Sequence, residues 1–179
     1  MTQETILILD FGGQYTQLIA RRVRQLHVYS QVLPYSASLA EIRALRPRGL
    51  IFSGGPSSVL DPNAPRCVDG VLEMGIPVLG ICYGMQLMGH LLGGRVAPAG
   101  KREYGLVHVR MNHLSPLLQD TEAHNPCWMS HTYQVVQAPE GFETIAGSDD
   151  CPIAAMADDQ RKLYGVQFHP EVTHTKNGL

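Results

Sequence analysis

Gly80-Ile81-Cys82-Tyr83-Gly84 is a G-x-C-x-G run that follows the apolar stretch Ile76 to Ile81 and leads into a helical pattern from Met85 to Leu92. A sharp turn between strand and helix lifts a nucleophile above the end of a sheet, and the flanking glycines let strand and helix backbones approach closely. The helix N-terminus beneath the sulfur favours negative charge and therefore the thiolate. Free cysteine is also among the most buried residue types, so this run alone fits a core cysteine about as well as a nucleophile.

A cysteine nucleophile needs a base, and the base needs an orienting partner. Gln167-Phe168-His169-Pro170-Glu171 offers both, directly after the apolar run Leu163 to Val166. Pro170 confines the backbone of His169 to extended conformations, and Glu171 stands two residues on, within reach of the imidazole N–H. A third element, Ser53-Gly54-Gly55-Pro56, follows the apolar Leu50-Ile51-Phe52. Such a turn can aim backbone N–H groups into the same cleft, and Gly55 and Tyr83 are the expected oxyanion donors. By itself the turn reads equally well as a place for positive φ.

These residues must be positioned by strands and helices. Apolar runs alternate with helical patterns along the first half: Ile6 to Asp10, Gln14 to Leu26, Val28 to Leu33, Ser38 to Leu45, Gly49 to Ser53, and Pro65 to Met74. Ser38 with Glu41 three residues later is a capping box and predicts a helix start. Gly93-Gly94 predicts a helix end after Leu92. After Gly94 the pattern turns to short strand-like pieces: Leu106 to Met111, Cys127 to Met129, Phe142 to Ala146, Ile153 to Met156 and Leu163 to Phe168. The expectation is an α/β fold whose mostly parallel central sheet is flanked by helices, with additional antiparallel strands in the second half. Cys82 and His169 would then both stand at strand ends, where such folds gather their sites.

A length of 179 residues with 44% hydrophobic content fits one domain over residues 1–179. The formal charge of −2 and pI near 6.4 supply no basic field for nucleic acid or anionic membrane, so a small-molecule substrate is expected. No apolar run is long enough to span a bilayer, and Met1-Thr2-Gln3-Glu4-Thr5 lacks a leader-like basic and apolar pattern, which predicts a cytoplasmic protein. Cys67, Cys82, Cys127 and Cys151 are widely spaced, which predicts free thiols and no metal site. The polar run Thr173 to Leu179 ends without a clear element, as a separately expressed piece would.

Taken together, Ser53 to Pro56, Gly80 to Gln86 and His169 to Glu171 resemble the class I, triad-type glutamine amidotransferases, over essentially the whole chain and in order. The longer runs Leu9-Asp10-Phe11-Gly12-Gly13-Gln14-Tyr15-Thr16, Cys82 to Gln86 and Val166 to Thr175 are similar to the amidotransferase domains of the GMP synthetase family. The resemblance implies a flavodoxin-like amidotransferase fold and hydrolysis of L-glutamine, with Cys82, His169 and Glu171 as the catalytic triad. It implies that Tyr83, Gly84, Gln86, Ser130, His131, Thr132 and Tyr133 help to hold the substrate. It also implies a partner, an ATP-pyrophosphatase or synthetase domain or subunit that binds ATP and Mg and uses the ammonia to convert XMP to GMP. No G-x-x-x-x-G-K-[ST] phosphate loop occurs in these residues, so no cofactor is expected in this domain and the synthetase is expected outside it.

One departure stands out. GMP synthetases usually carry a glycine and an acidic residue after the serine-histidine pair, whereas Ser130-His131 is followed here by Thr132-Tyr133. A threonine takes positive φ less cheaply than glycine, which puts glutamine affinity or partner communication in question. Two other readings stay open: a relative that cleaves a γ-glutamyl or other amide, and a catalytically silent subunit that senses glutamine. Glu103, Tyr104, His108, His113, His124 and His174 show no catalytic or metal-ligand spacing and are expected at the surface or an interface. Asp10 is expected to be a strand-end acid near the cleft.

Overall fold

The computed structural model describes residues 4–179, and Met1–Gln3, part of the stretch read for a leader, lie outside the described residues. The first half runs β1 (Thr5–Asp10), α1 (Thr16–Gln25), β2 (Tyr29–Pro34), α2 (Leu39–Ala44), β3 (Gly49–Phe52), β4 (Val78–Ile81) and α3 (Tyr83–Leu91). The second half is nearly all strand: β5 (Arg95–Met111), a short 3-10 turn (Pro116–Leu118), β6 (His124–Gln137), β7 (Glu143–Gly147), β8 (Ala155–Asp158) and β9 (Leu163–Val166). The described strands form one sheet in the order β2-β1-β3-β4-β9-β8-β7-β5-β6. β2, β1, β3, β4 and β9 are parallel, and β8, β7, β5 and β6 continue the sheet with antiparallel pairings. This is the mixed α/β sheet expected from the alternation of patterns.

Leu7, Ile8 and Leu9 of β1 are fully buried, as a parallel strand covered on both faces requires. The core splits accordingly. Leu7, Leu9, Phe52, Met85 and Met88 pack on one face, and Ile8, Ile19, Ile81, Val166 and Phe168 on the other. Ser38 caps α2 through the predicted box, its hydroxyl accepting from the Glu41 N–H while the Glu41 side chain accepts from the Ser38 N–H. α3 closes with a Schellman pattern, since the N–H of Gly94 reaches the carbonyl of Gly89 at 2.8 Å and Gly93 takes φ 92°.

One expected helix does not form. Pro65 to Met74 is irregular chain followed by turns and bends, interrupted at Gly70, which takes φ 88°, a conformation a helix does not accommodate. Its apolar residues still reach the core, with Cys67 and Val71 buried beside Val59. Apolar spacing that matches a helix is also satisfied by a meandering loop that dips inward at intervals.

Four loops therefore leave the same carboxyl edge of the parallel strands: residues 11–15 after β1, 53–58 after β3, Cys82 after β4, and 167–171 after β9. The long β5–β6 hairpin brings residues 130–133 across that edge.

Candidate active site

Cys82 joins β4 to α3 with φ 52° and ψ −108°, a conformation that costs a non-glycine residue about 1–3 kcal/mol. The surroundings hold it there: its N–H donates to the Val166 carbonyl at 2.8 Å, and its carbonyl accepts from the Gln86 N–H at 3.1 Å. The two glycines of the run are required by contact. A side chain at Gly80 would come within 2.6 Å of the Gly84 backbone, and one at Gly84 within 2.5 Å of the Phe52 carbonyl oxygen. Helix and strand thus meet almost backbone to backbone beneath the sulfur.

His169 lies beyond β9, and its Nδ1 is 2.7 Å from Glu171 Oε1, with both side chains buried. Several bonds fix this segment. The His169 N–H donates to the Trp128 carbonyl, and Thr175 Oγ1 donates to the His169 carbonyl at 2.6 Å while accepting from the Trp128 N–H at 2.9 Å. Arg22 donates to the Glu171 carbonyl at 2.9 Å. The Tyr15 ring meets the imidazole edge-on at 5.4 Å. Burial opposes a charged imidazole, but the Cys82 sulfur and the Glu171 carboxylate both favour it and prevail, holding the His169 pKa up at about 10. A side chain placed at Gly54 would lie 3.3 Å from His169 Cε1 and 3.7 Å from Cys82 Cβ, so Gly54 keeps open the space between them.

These groups line a cavity of about 390 Å³. Gly55, Tyr83, Gln86, Ser130, His131, Thr132 and Tyr133 all line it, together with Cys82, His169 and Glu171. Gly84 is the exception among the residues named from sequence. It is absent from the lining, and its lack of a side chain serves the packing of α3 on Phe52. Tyr83 opens α3, so its N–H is one of the first-turn donors that have no acceptor within the helix.

Thr132 does not have the positive φ that would favour glycine: among the described non-glycine residues with positive φ it is absent, and it lies inside the continuous strand β6. The threonine is therefore accommodated without backbone strain. Glu103 corrects another expectation, for it is buried rather than at the surface. Its Oε2 is 3.0 Å from His131 Nε2, its Oε1 accepts from Ser148 at 2.9 Å, and His131 Nδ1 lies 3.1 Å from the Tyr133 carbonyl. Cys151 brings its sulfur near this pair, with ligand-type atoms of the three residues within 4.8 Å of one another. Burial pushes the Cys151 thiol up to about 12, so it stays protonated, and the pair acts as a strut behind the cavity wall. Tyr104 is exposed and lines the cavity, whereas His108, His113, His124 and His174 are exposed and outside it.

The glutamine amidotransferase class-I family matches residues 7–179. The chain belongs to the class-I glutamine amidotransferases. GMP synthase [glutamine-hydrolyzing] of Acetivibrio thermocellus is 57% identical over 178 residues, which is 99% of this chain and 35% of that protein. The enzyme of the same name from Caldanaerobacter subterraneus subsp. tengcongensis is 56% identical over 98% of this chain and 34% of its own length. The chain thus spans about a third of the curated relatives it matches. Among solved structures, a Thermoplasma acidophilum protein assigned as part of a GMP synthase superposes with TM-score 0.90 at 27% identity, covering 99% of this chain and 89% of its own. A Thermotoga maritima glutamine amidotransferase shares the fold with TM-score 0.78 at 18% identity, covering 96% of this chain and 78% of its own.

Around the cavity stand further residues to which sequence reasoning gave no site role. Gly12, Gly13, Gln14 and Tyr15 form one wall. Asp10 shapes that wall, accepting from the Gly12 N–H and the Thr16 hydroxyl, each at 2.9 Å. Ser53 ties the β1 and β3 loops together by accepting from the Phe11 N–H at 2.9 Å. The available signal was position, because both loops follow apolar strands at the carboxyl edge. Gln167, fully buried, has its amide 3.5 Å from the Cys82 sulfur.

Proposed function

We propose that residues 1–179 form a single glutaminase domain that hydrolyses L-glutamine to glutamate and ammonia through a thioester on Cys82. The observation that supports it most is the meeting, in one cavity, of a cysteine on a strained strand-to-helix turn with a buried His169–Glu171 pair. Cys82 thiolate attacks the side-chain amide carbon, and the oxyanion is received by the Gly55 and Tyr83 N–H groups. Imidazolium at His169 gives its proton to the departing nitrogen, so ammonia leaves and the thioester remains. Neutral His169 then takes a proton from water, the hydroxide adds to the thioester, and glutamate departs as the thiolate and imidazolium are restored. Glu171 holds the imidazole orientation and stabilises its positive charge. Gln86 and the 130–133 wall are assigned to holding the rest of the substrate.

Ammonia is mostly protonated near neutral pH, so this product is useful beside an acceptor site. The high identity to GMP synthases over a third of their length supports a synthetase partner, fused or separate, that binds ATP and Mg and converts XMP to GMP in the cytoplasm. Among the described residues no helix is long and apolar enough to cross a membrane. The test is glutamate and ammonia release from glutamine by the wild-type domain and by Cys82→Ala, with and without the synthetase. Release that depends on Cys82 supports the proposal. Release that survives in Cys82→Ala, or preference for γ-glutamyl peptides over glutamine, refutes it.

A further inference from the structure

We infer that Gln167 is a positioning residue for the nucleophile, with its carboxamide N–H groups set to donate to the Cys82 sulfur and the Gln86 amide fixing that orientation. This rests on the proposed cysteine chemistry, and it adds a residue outside the triad.

The geometry starts at the end of β9. Gln167 is the first residue beyond β9, where its N–H donates to the Ala154 carbonyl at 2.8 Å, two residues before His169. There Gln167 Nε2 lies 3.5 Å from Cys82 Sγ, and Gln167 Oε1 accepts from Gln86 Nε2 at 3.1 Å. Gln86 is four residues after Cys82 in α3, one turn along the same helix face. Its Nε2 also donates to the Tyr133 carbonyl at 2.8 Å.

The amide orientations follow from hydrogen-bond type. The Tyr133 carbonyl can only accept, so the end of Gln86 facing it must be the NH2 group. The second hydrogen of that group meets Gln167, which must therefore present its oxygen. The NH2 of Gln167 is left facing the sulfur. A backbone carbonyl thus sets, through two side chains, which end of an amide the nucleophile meets.

The consequence concerns the ionised sulfur. As a thiol, Cys82 donates to the Ser130 carbonyl at 3.6 Å. On ionisation that donation ends and the carbonyl oxygen faces a negative sulfur, which is unfavourable. The Gln167 contact changes in the opposite sense, because hydrogen bonds to charged acceptors are stronger than those to neutral ones. Gln167 is completely buried, so water does not replace it.

The test is the rate of iodoacetamide alkylation at Cys82 across pH, followed by peptide mass spectrometry, together with glutaminase kinetics. Gln167→Glu is the informative variant. It keeps an oxygen to accept from Gln86 and nearly the same shape, but turns a carboxylate oxygen to the sulfur. The expected result is alkylation at neutral pH slower by roughly tenfold or more, a pH profile moved up by about one unit, and a lower kcat with KM little changed. Gln167→Met, which offers no donor, should shift the profile in the same direction by a smaller amount and is read in the same way if the Glu variant does not fold. Wild-type alkylation kinetics in the folded variants would overturn the inference, since a residue that only fills space would leave the pH profile in place. Failure of the cysteine chemistry itself is distinguishable: then wild-type Cys82 reacts no faster than Cys67, Cys127 or Cys151 and releases no glutamate.

Discussion

Replacing Glu171 by Gln isolates the charge of the carboxylate from its geometry. Glu171 Oε1 is 2.7 Å from His169 Nδ1 in a buried pair, and among the described residues Oε2 has no hydrogen-bond partner. A carboxamide can therefore turn its oxygen to Nδ1 without breaking another bond. The imidazole keeps its tautomer and loses the neighbouring negative charge. Hydrogen bonds to charged groups contribute about 1.5–3 kcal/mol, and each 1.36 kcal/mol is a factor of ten in rate, so kcat/KM for glutamine should fall about 10- to 150-fold. The fall should lie in kcat, because the imidazolium is used when ammonia departs and not when glutamine docks. Glutamate release measured against glutamine concentration reads both constants. Unchanged kcat/KM, or a change confined to KM, would refute the role assigned to Glu171. A loss near 10⁴-fold would instead match the loss seen when an orienting carboxylate is amidated and the histidine takes the wrong tautomer.

Several further outcomes are expected. The His169 pKa is raised to about 10, above the ordinary value of 6.5, so the stabilisation from its charged form is fully present below about pH 6.5 and is lost as pH rises through about 10. An NMR titration should find the ring charged at neutral pH in the wild type and titrating lower in Cys82→Ala, which removes one of the two groups that hold the proton; a wild-type ring titrating near its ordinary value contradicts this. Because Cys82 has φ 52°, Cys82→Gly should be more stable than Cys82→Ala by about 1 kcal/mol in chemical denaturation, despite its smaller side chain; the reverse order would remove the argument for backbone strain. Gly80→Ala forces a methyl to within 2.6 Å of the Gly84 backbone and should cost about 1–3 kcal/mol or more, with a matching loss of activity. The isolated domain is expected to hydrolyse glutamine slowly and to accelerate when the synthetase partner is added; a rate that does not change argues against coupling.

The sequence conveyed local geometry better than long-range geometry. The strand-to-helix turn at Cys82 was legible because Gly80 and Gly84 bracket it, and α2 because Ser38 and Glu41 form a box whose range is three residues. The parallel half of the sheet followed from alternating patterns, while the absent helix at Pro65 to Met74 shows where spacing alone misleads: Gly70 interrupts it and the apolar residues reach the core through a loop. Glu103 was illegible for a different reason. Its partner His131 is 28 residues away in sequence, and the pairing depends on the β5–β6 register, which shifts between Pro98 and Glu103. Gln167 was visible as part of the run before His169, but its contact with the sulfur depends on Gln86 and Tyr133, which only the folded chain brings together. Thr132 illustrates the converse, since a departure that threatened strain in the sequence is absorbed by a backbone without positive φ, even opposite the shift in the β5–β6 register.

The central claim is that Cys82 becomes acylated by the glutamine side chain. Acid quenching of the wild-type domain during turnover, followed by peptide mapping, measures this most directly. The account predicts a glutamyl adduct on the peptide that contains Cys82, removed by hydroxylamine and absent in Cys82→Ala. Turnover of glutamine with no adduct on that peptide, or with the adduct on another cysteine, would contradict it.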